Sequence, residues 1–163
     1  MCKELEQLCQ KLGEKLQSKG LTMATAESCT GGLIAKVATD IPGSSSWFEA
    51  GFITYSNAAK QEMLGVRPKT LLRDGAVSEA VVQEMALGAL LHSQADISVA
   101  ISGIAGPDGA VPGKPVGTVC FSWALKDHSH HQHTKHFEGD REAVRLQSVA
   151  CALEGLLDVL GKA

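Results

Sequence analysis

Aromatic side chains make up only 4% of this 163-residue chain. That scarcity excludes the usual grip on single-stranded nucleic acid, in which successive bases stack on aromatic platforms. Positive charge is short too. Fifteen Lys and Arg stand against eighteen Asp and Glu, a net charge of -3 with a pI near 6.0, so no basic face is offered to a phosphate backbone. No apolar run is long enough for a membrane-spanning helix, and the polar opening MCKELEQLCQ lacks the layout of a signal peptide. The five cysteines, at 2, 9, 29, 120 and 151, are odd in number and include no CxxC pair, which removes a zinc knuckle and a redox dithiol. Four of them lie in apolar patterns, as expected of reduced thiols in a cytoplasmic protein. These absences leave an ordinary globular chain, 44% hydrophobic and 20% charged. It is long enough to bury about two-thirds of its unfolded surface in one domain, residues 1–163.

The patterning that is present alternates helices with strands. Leu5, Leu8, Cys9, Leu12 and Leu16 fall on one helical stripe, which Gly20 stops. Residues 21–28 read as a strand, 33–39 as a helix closed by Ile41-Pro42-Gly43, and 48–55 as a second strand. Ser56-Asn57 supplies caps for a short helix to about Leu64. Ser78 caps a helix over 79–92, with Glu79 at its positive end and Val82, Met85, Ala86 and Ala89 facing inward. ISVAISG, 97–103, suits a strand covered on both faces. A loop rich in glycine and proline spans 103–117, then 117–125 and 130–137 form a hairpin. The long helix over 141–160 carries Val149, Leu153, Leu156, Leu157 and Leu160 on one face. This order predicts an α/β fold, a three-layer α/β/α sandwich around a mixed sheet with one antiparallel hairpin.

The segment ATAESCTGGLIAKV, 24–37, turns from strand to helix through Glu27, Ser28, Cys29 and Thr30. Open α/β sheets bind ligands at the carboxyl ends of their strands, where this corner lies. Gly31 and Gly32 remove side chains beside the positive end of the helix, so the corner can hold a phosphate or stabilise an oxyanion. Ser28 or Thr30 can equally serve only as the helix cap. No Gly-Lys-Ser/Thr follows, so this is not a Walker loop.

A nucleophilic Ser28 needs a base, and histidine is poorly placed. All six histidines lie at His92 or in DHSHHQHTKHF. That run reads as a solvated edge strand; as a metal site it splits, with His128 and His130 on one face and His131 and His133 on the other. Lys60 is the other candidate. With Asn57 as cap it falls in the first turn of its helix, where a cation is disfavoured by roughly 0.3–1 kcal/mol. A local rule broken without visible gain marks a candidate functional position, although an exposed lysine at a helix end is the simpler reading. Acting as a base requires its pKa to fall from about 10.4 to near 7, close to 4 kcal/mol. Burial and a neighbouring arginine must supply most of that, so Lys60 has to be desolvated.

Two further clusters carry chemistry. In SGIAGPDGAVPGKPVGTV, Gly103, Gly106 and Gly109 recur every third residue after the apolar strand. A proline and then a strand follow, where a dinucleotide fingerprint requires a helix, yet the loop can present backbone donors to a ligand. Near the end, Asp140 can cap the last helix. Arg141 and Arg145, one turn apart, then suit a phosphate or carboxylate unless Asp140 and Glu142 pair with them.

Taken in order, AESCTGG, GFITYSNAAKQEMLGV, GAVS, SGIAGPDG, KPVGTV and GDREAVR resemble the CinA C-terminal family over essentially the whole chain. The resemblance implies a nicotinamide mononucleotide deamidase. Such an enzyme hydrolyses the carboxamide of this pyridine nucleotide to nicotinate mononucleotide and ammonia, needing no cofactor and no metal. It implies a serine nucleophile at Ser28 and a lysine base at Lys60, with Tyr55 as a further catalytic candidate. Substrate contacts are then expected from Thr30, Gly31, Gly32, Ser102, Gly103, Gly106, Arg141 and Arg145. Ser102 stands where other members often have threonine, and GPDGA replaces the commoner GPxGG. Cys29 is a rival nucleophile, but neighbours on a strand point opposite ways, and the resemblance favours Ser28. It also implies a homo-oligomer without the separate N-terminal domain of full-length CinA proteins. The alternative is a catalytically silent nucleotide-binding paralogue with a regulatory role.

Overall fold

Alternation along the central strands gives the sheet two unlike faces. The computed structural model describes residues 2–162. In chain order they form α1 (Lys3–Lys19), β1 (Met23–Glu27), α2 (Leu33–Thr39), β2 (Phe48–Ile53), α3 (Asn57–Leu64), α4 (Pro68–Asp74), α5 (Glu79–Leu91), β3 (Ile97–Gly103), β4 (Thr118–Leu125), β5 (His130–His136) and α6 (Arg141–Lys162). One face of the sheet presents Met23, Ile97, Val99, Ile101, Val119, Phe121 and Trp123 to α1, α2 and α6. From β1, β3 and β4 the other face presents small residues, Ala24, Ala26, Ala100, Cys120 and Ala124, to α3, α4 and α5, with Phe52 of β2 packed beside them.

That difference in size sets how close the helices come. On the small face Ser98 donates its hydroxyl to the Ala86 carbonyl of α5 at 2.7 Å. A Cβ on Gly88 of α5 would lie 2.0 Å from the Leu64 carbonyl oxygen, so α3 and α5 touch there through backbone. On the large face Trp123 fills the space under α6. Its indole N–H donates to the Ala152 carbonyl at 3.0 Å, and a Cβ on Gly155 would sit 2.1 Å from its ring. Each fully buried large side chain contributes about 1.5–3 kcal/mol, so both faces hold the three layers together.

The sheet order is β2-β1-β3-β4-β5. β1 pairs in parallel with β2 and β3, while β4 runs antiparallel to both β3 and β5. The mixed sandwich expected from sequence is therefore present, with antiparallel pairing reaching one strand further than the hairpin. β1 begins at Met23 instead of 21, because Gly20 ends α1 in the left-handed region and the Leu21 amide turns back to the Leu16 carbonyl at 2.9 Å. The sequence reading missed α4, which proline opens at its first turn and whose short run shows no apolar stripe. His128 lies in the turn before β5, at φ 71, so it shares no strand face with His130. No helix among the described residues is long and apolar enough to cross a membrane.

Candidate active site

Glu27 settles the geometry of the corner after β1. It is fully buried, and its carboxylate accepts from the Thr30 hydroxyl at 2.6 Å, the Ile34 amide at 2.9 Å and the Ala35 amide at 3.0 Å. The first turn of α2 is thereby capped from the preceding strand, and neither Ser28 nor Thr30 is its N-cap. Gly32 takes that position at φ 99 with no side-chain cap. Gly31 and Gly32 have φ of 59 and 99, and a side chain on Gly32 would meet Ile53 at 2.8 Å. These glycines therefore serve the turn and its packing. The positive end of α2 is already occupied by the chain's own carboxylate. That corrects the expectation of a phosphate or oxyanion cradle at Thr30, Gly31 and Gly32, which do not line the cavity beside Ser28.

Lys60 approaches Ser28 from the neighbouring element. Ser56, not Asn57, caps α3, its hydroxyl accepting from the Ala59 amide at 3.0 Å. Lys60 then lies at the end of the first turn and points inward, 1% exposed. Its Nζ is 2.9 Å from Ser28 Oγ, 2.9 Å from the Thr54 carbonyl and 3.3 Å from the Tyr55 carbonyl. A neutral amine has two hydrogens and one lone pair. Two carbonyls can take the hydrogens, which leaves the lone pair for the Ser28 hydroxyl. Burial lowers the Lys60 pKa to about 8, against an opposing influence from Cys29. Arginine plays no part in that shift, contrary to the sequence expectation. About a tenth of the amine is then uncharged at pH 7.

Ser28 itself is 7% exposed and opens onto a cavity of ≈ 250 Å³. Cys29 belongs with the buried apolar cluster on the large face. Burial, with a smaller contribution from Glu27, pushes its thiol up to about 12, so it stays protonated and is a poor nucleophile.

Around Ser28 and Cys29, which both line it, the cavity walls come from four further parts of the chain. Tyr55, Asn57 and Lys60 form one side; Ala76 and Val77 another; Ser102, Gly103, Gly106 and Asp108 a third; Arg141 closes the ring. Arg141 donates to the Gly106 carbonyl at 2.7 Å and to the Tyr55 hydroxyl at 3.2 Å. Tyr55 is 63% exposed, so its phenol stands at the rim while its carbonyl sits beside Lys60 and Ser28. Asp140 accepts from the Ala143 amide at 2.9 Å as the helix cap. Among the described residues neither Arg141 nor Arg145 forms a salt bridge. The two do not make one clamp. Arg145 turns away from the cavity to donate to the Thr30 carbonyl at 3.0 Å, bracing the corner. The sequence reading left Glu27, Asn57, Ala76, Val77 and Asp108 out of the site, although all five stand in motifs quoted for other reasons.

A larger groove of ≈ 640 Å³ runs between β5 and α6. Its polar lining residues, including His131, His133, Glu154 and Asp158, are all exposed. Size without a buried polar group is weaker ground than the desolvated amine beside Ser28.

Comparison with known proteins gives a consistent picture. A family profile described as the CinA C-terminal domain matches residues 5–160. Nicotinamide-nucleotide amidohydrolase PncC of Escherichia coli (strain K12) is 57% identical over 153 residues, covering 94% of this chain and 93% of that protein. The protein of the same name from Pseudomonas putida is 52% identical over 152 residues, covering 93% and 94%. Among solved structures, the competence/damage inducible protein CihA from Agrobacterium tumefaciens superposes with a TM-score of 0.95 at 41% identity, covering 99% of this chain and 98% of that one.

Proposed function

The chain belongs to the CinA C-terminal domain family, and from that premise we propose that it is an amidohydrolase acting on nicotinamide mononucleotide, with Ser28 as nucleophile and Lys60 as base. The relatives named for nicotinamide-nucleotide amidohydrolase activity support the substrate and the place in pyridine nucleotide recycling. The observation that carries the mechanism is the buried Lys60 amine 2.9 Å from the Ser28 hydroxyl.

The reaction is acyl transfer. Neutral Lys60 takes the Ser28 proton as Oγ attacks the carboxamide carbon. Backbone N–H groups at the cavity wall, at Cys29 or at Ser102-Gly103, face the developing oxyanion. The Lys60 ammonium then gives its proton to the departing nitrogen, and ammonia leaves. Water, deprotonated by the same amine, cleaves the acyl-serine ester to nicotinate mononucleotide and free Ser28. Arg141, which pairs with no carboxylate among the described residues, binds the phosphate, and Tyr55 holds that guanidinium at the rim. The reading includes work in the cytoplasm, in keeping with five free thiols, and as a homo-oligomer.

Ammonia release from nicotinamide mononucleotide by the purified wild type, Ser28→Ala and Lys60→Ala tests this. Release by the wild type with loss in both variants is expected. Tight binding of the nucleotide without ammonia release would instead identify a silent, regulatory paralogue.

A further inference from the structure

We infer that Asp108 reads the positive charge of the substrate's pyridinium ring, so that the site selects a cationic N-ribosylated ring over its neutral, reduced counterpart. The inference rests on the reading that a nicotinamide nucleotide occupies the cavity. Among the described residues three charged side chains line that cavity, the cations Lys60 and Arg141 and one carboxylate, Asp108. Nicotinamide mononucleotide carries a carboxamide, a cationic ring and a phosphate. Lys60 is committed to Ser28 and Arg141 matches the phosphate, which leaves Asp108 as the counter-charge for the ring. Among the described residues Asp108 has no salt bridge, so its charge is available although two cations share the cavity.

The loop that carries Asp108 is fixed at both ends. The Ile104 amide donates to the Thr118 carbonyl at 2.9 Å and the Gly117 amide to the Ile104 carbonyl at 2.8 Å. Arg141 ties down the Gly106 carbonyl on the near side of Pro107. On the far side Gly109, at φ 106, packs against Ile104, whose methyl would be 3.2 Å from an added Cβ. The ring nitrogen is bonded to ribose and has no hydrogen to donate, so recognition there must come through charge. Complementary potential from the exposed Asp108 carboxylate at the cavity wall then decides between two rings of nearly the same shape.

The test compares binding of nicotinamide mononucleotide and its 1,4-dihydro form to Ser28→Ala, which prevents turnover, and to Ser28→Ala with Asp108→Asn. Calorimetry on the full chain should show the cationic form binding on the order of tenfold tighter than the reduced form. Asp108→Asn should bring that ratio close to one by weakening only the cationic form, and Asp108→Glu should restore part of it. Equal weakening of both forms would assign Asp108 to the ribose hydroxyls or to loop structure and overturn the inference, as would an unchanged ratio. Ammonia release by the wild type is measured separately, so failure of the substrate reading shows up there and not in the ratio.

Discussion

The carboxylate of Glu27 accepts the amide hydrogen of Ile34 at 2.9 Å across the turn that ends β1. With the Thr30 and Ala35 bonds to the same carboxylate, it relieves Ser28 of capping α2 and leaves that hydroxyl to Lys60. Removing the carboxylate strands buried donors, at about 1–3 kcal/mol for each one left unsatisfied. Glu27→Ala is therefore expected to lower the thermal midpoint by roughly 5 °C or more and to reduce ammonia release, because the corner that fixes Ser28 loosens. A wild-type midpoint in Glu27→Ala would show that the cap does not hold the corner.

The layers of the sandwich were legible in the sequence because burial follows the helix and strand periods; of the stripe Leu5, Leu8, Cys9, Leu12 and Leu16, all but the half-buried Leu8 are buried. The site was legible in its chemistry and less so in its geometry. Lys60 broke the dipole rule at the start of α3, and its inward course beneath Ser28 is the reason. The roles of Gly31, Gly32 and Arg145 were not legible. A glycine needed for positive φ looks, in one sequence, the same as one cleared for a ligand, and Arg145 can be placed only once α6 is packed against the corner. Glu27 was missed because a carboxylate cap that lies five residues before the N-cap Gly32 has no fixed spacing signature.

Burying the Lys60 amine opposes folding. Its pKa falls from 10.5 unfolded to about 8 folded, so below pH 8 the penalty is full, at about 3 kcal/mol. Between pH 8 and 10.5 the unfolded chain holds a proton the folded chain lacks, so stability rises with pH across that window. Lys60→Met, similar in length and uncharged, should melt higher than the wild type at pH 7 while losing ammonia release. Its advantage should shrink as the pH approaches 10. A variant that melts lower at pH 7 would show that the amine's hydrogen bonds outweigh its desolvation.

Cys29, with its thiol held near 12, is expected to be dispensable for chemistry. Cys29→Ala should keep ammonia release within a few-fold of wild type, whereas Ser28→Ala should lose on the order of a thousandfold. Alkylation by iodoacetamide should leave Cys29 unmodified in the folded protein. Loss of activity in Cys29→Ala with full activity in Ser28→Ala would reverse the assignment.

Arg141 stands at the mouth with no carboxylate partner among the described residues. Arg141→Ala should raise KM for nicotinamide mononucleotide on the order of tenfold or more, with a much smaller effect on nicotinamide riboside, which lacks the phosphate. Equal effects on both substrates would place Arg141 in support of the Gly106 loop instead.

The dependence of kcat/KM on pH, followed by ammonia release from nicotinamide mononucleotide between pH 6 and 10, bears most directly on Lys60 as the base. An uncharged amine with a pKa of about 8 requires the rate to climb close to tenfold per pH unit below that value and to level off above it. A rate that is flat from pH 6 to 9, or that falls across that interval, would contradict a neutral Lys60 as the group that activates Ser28.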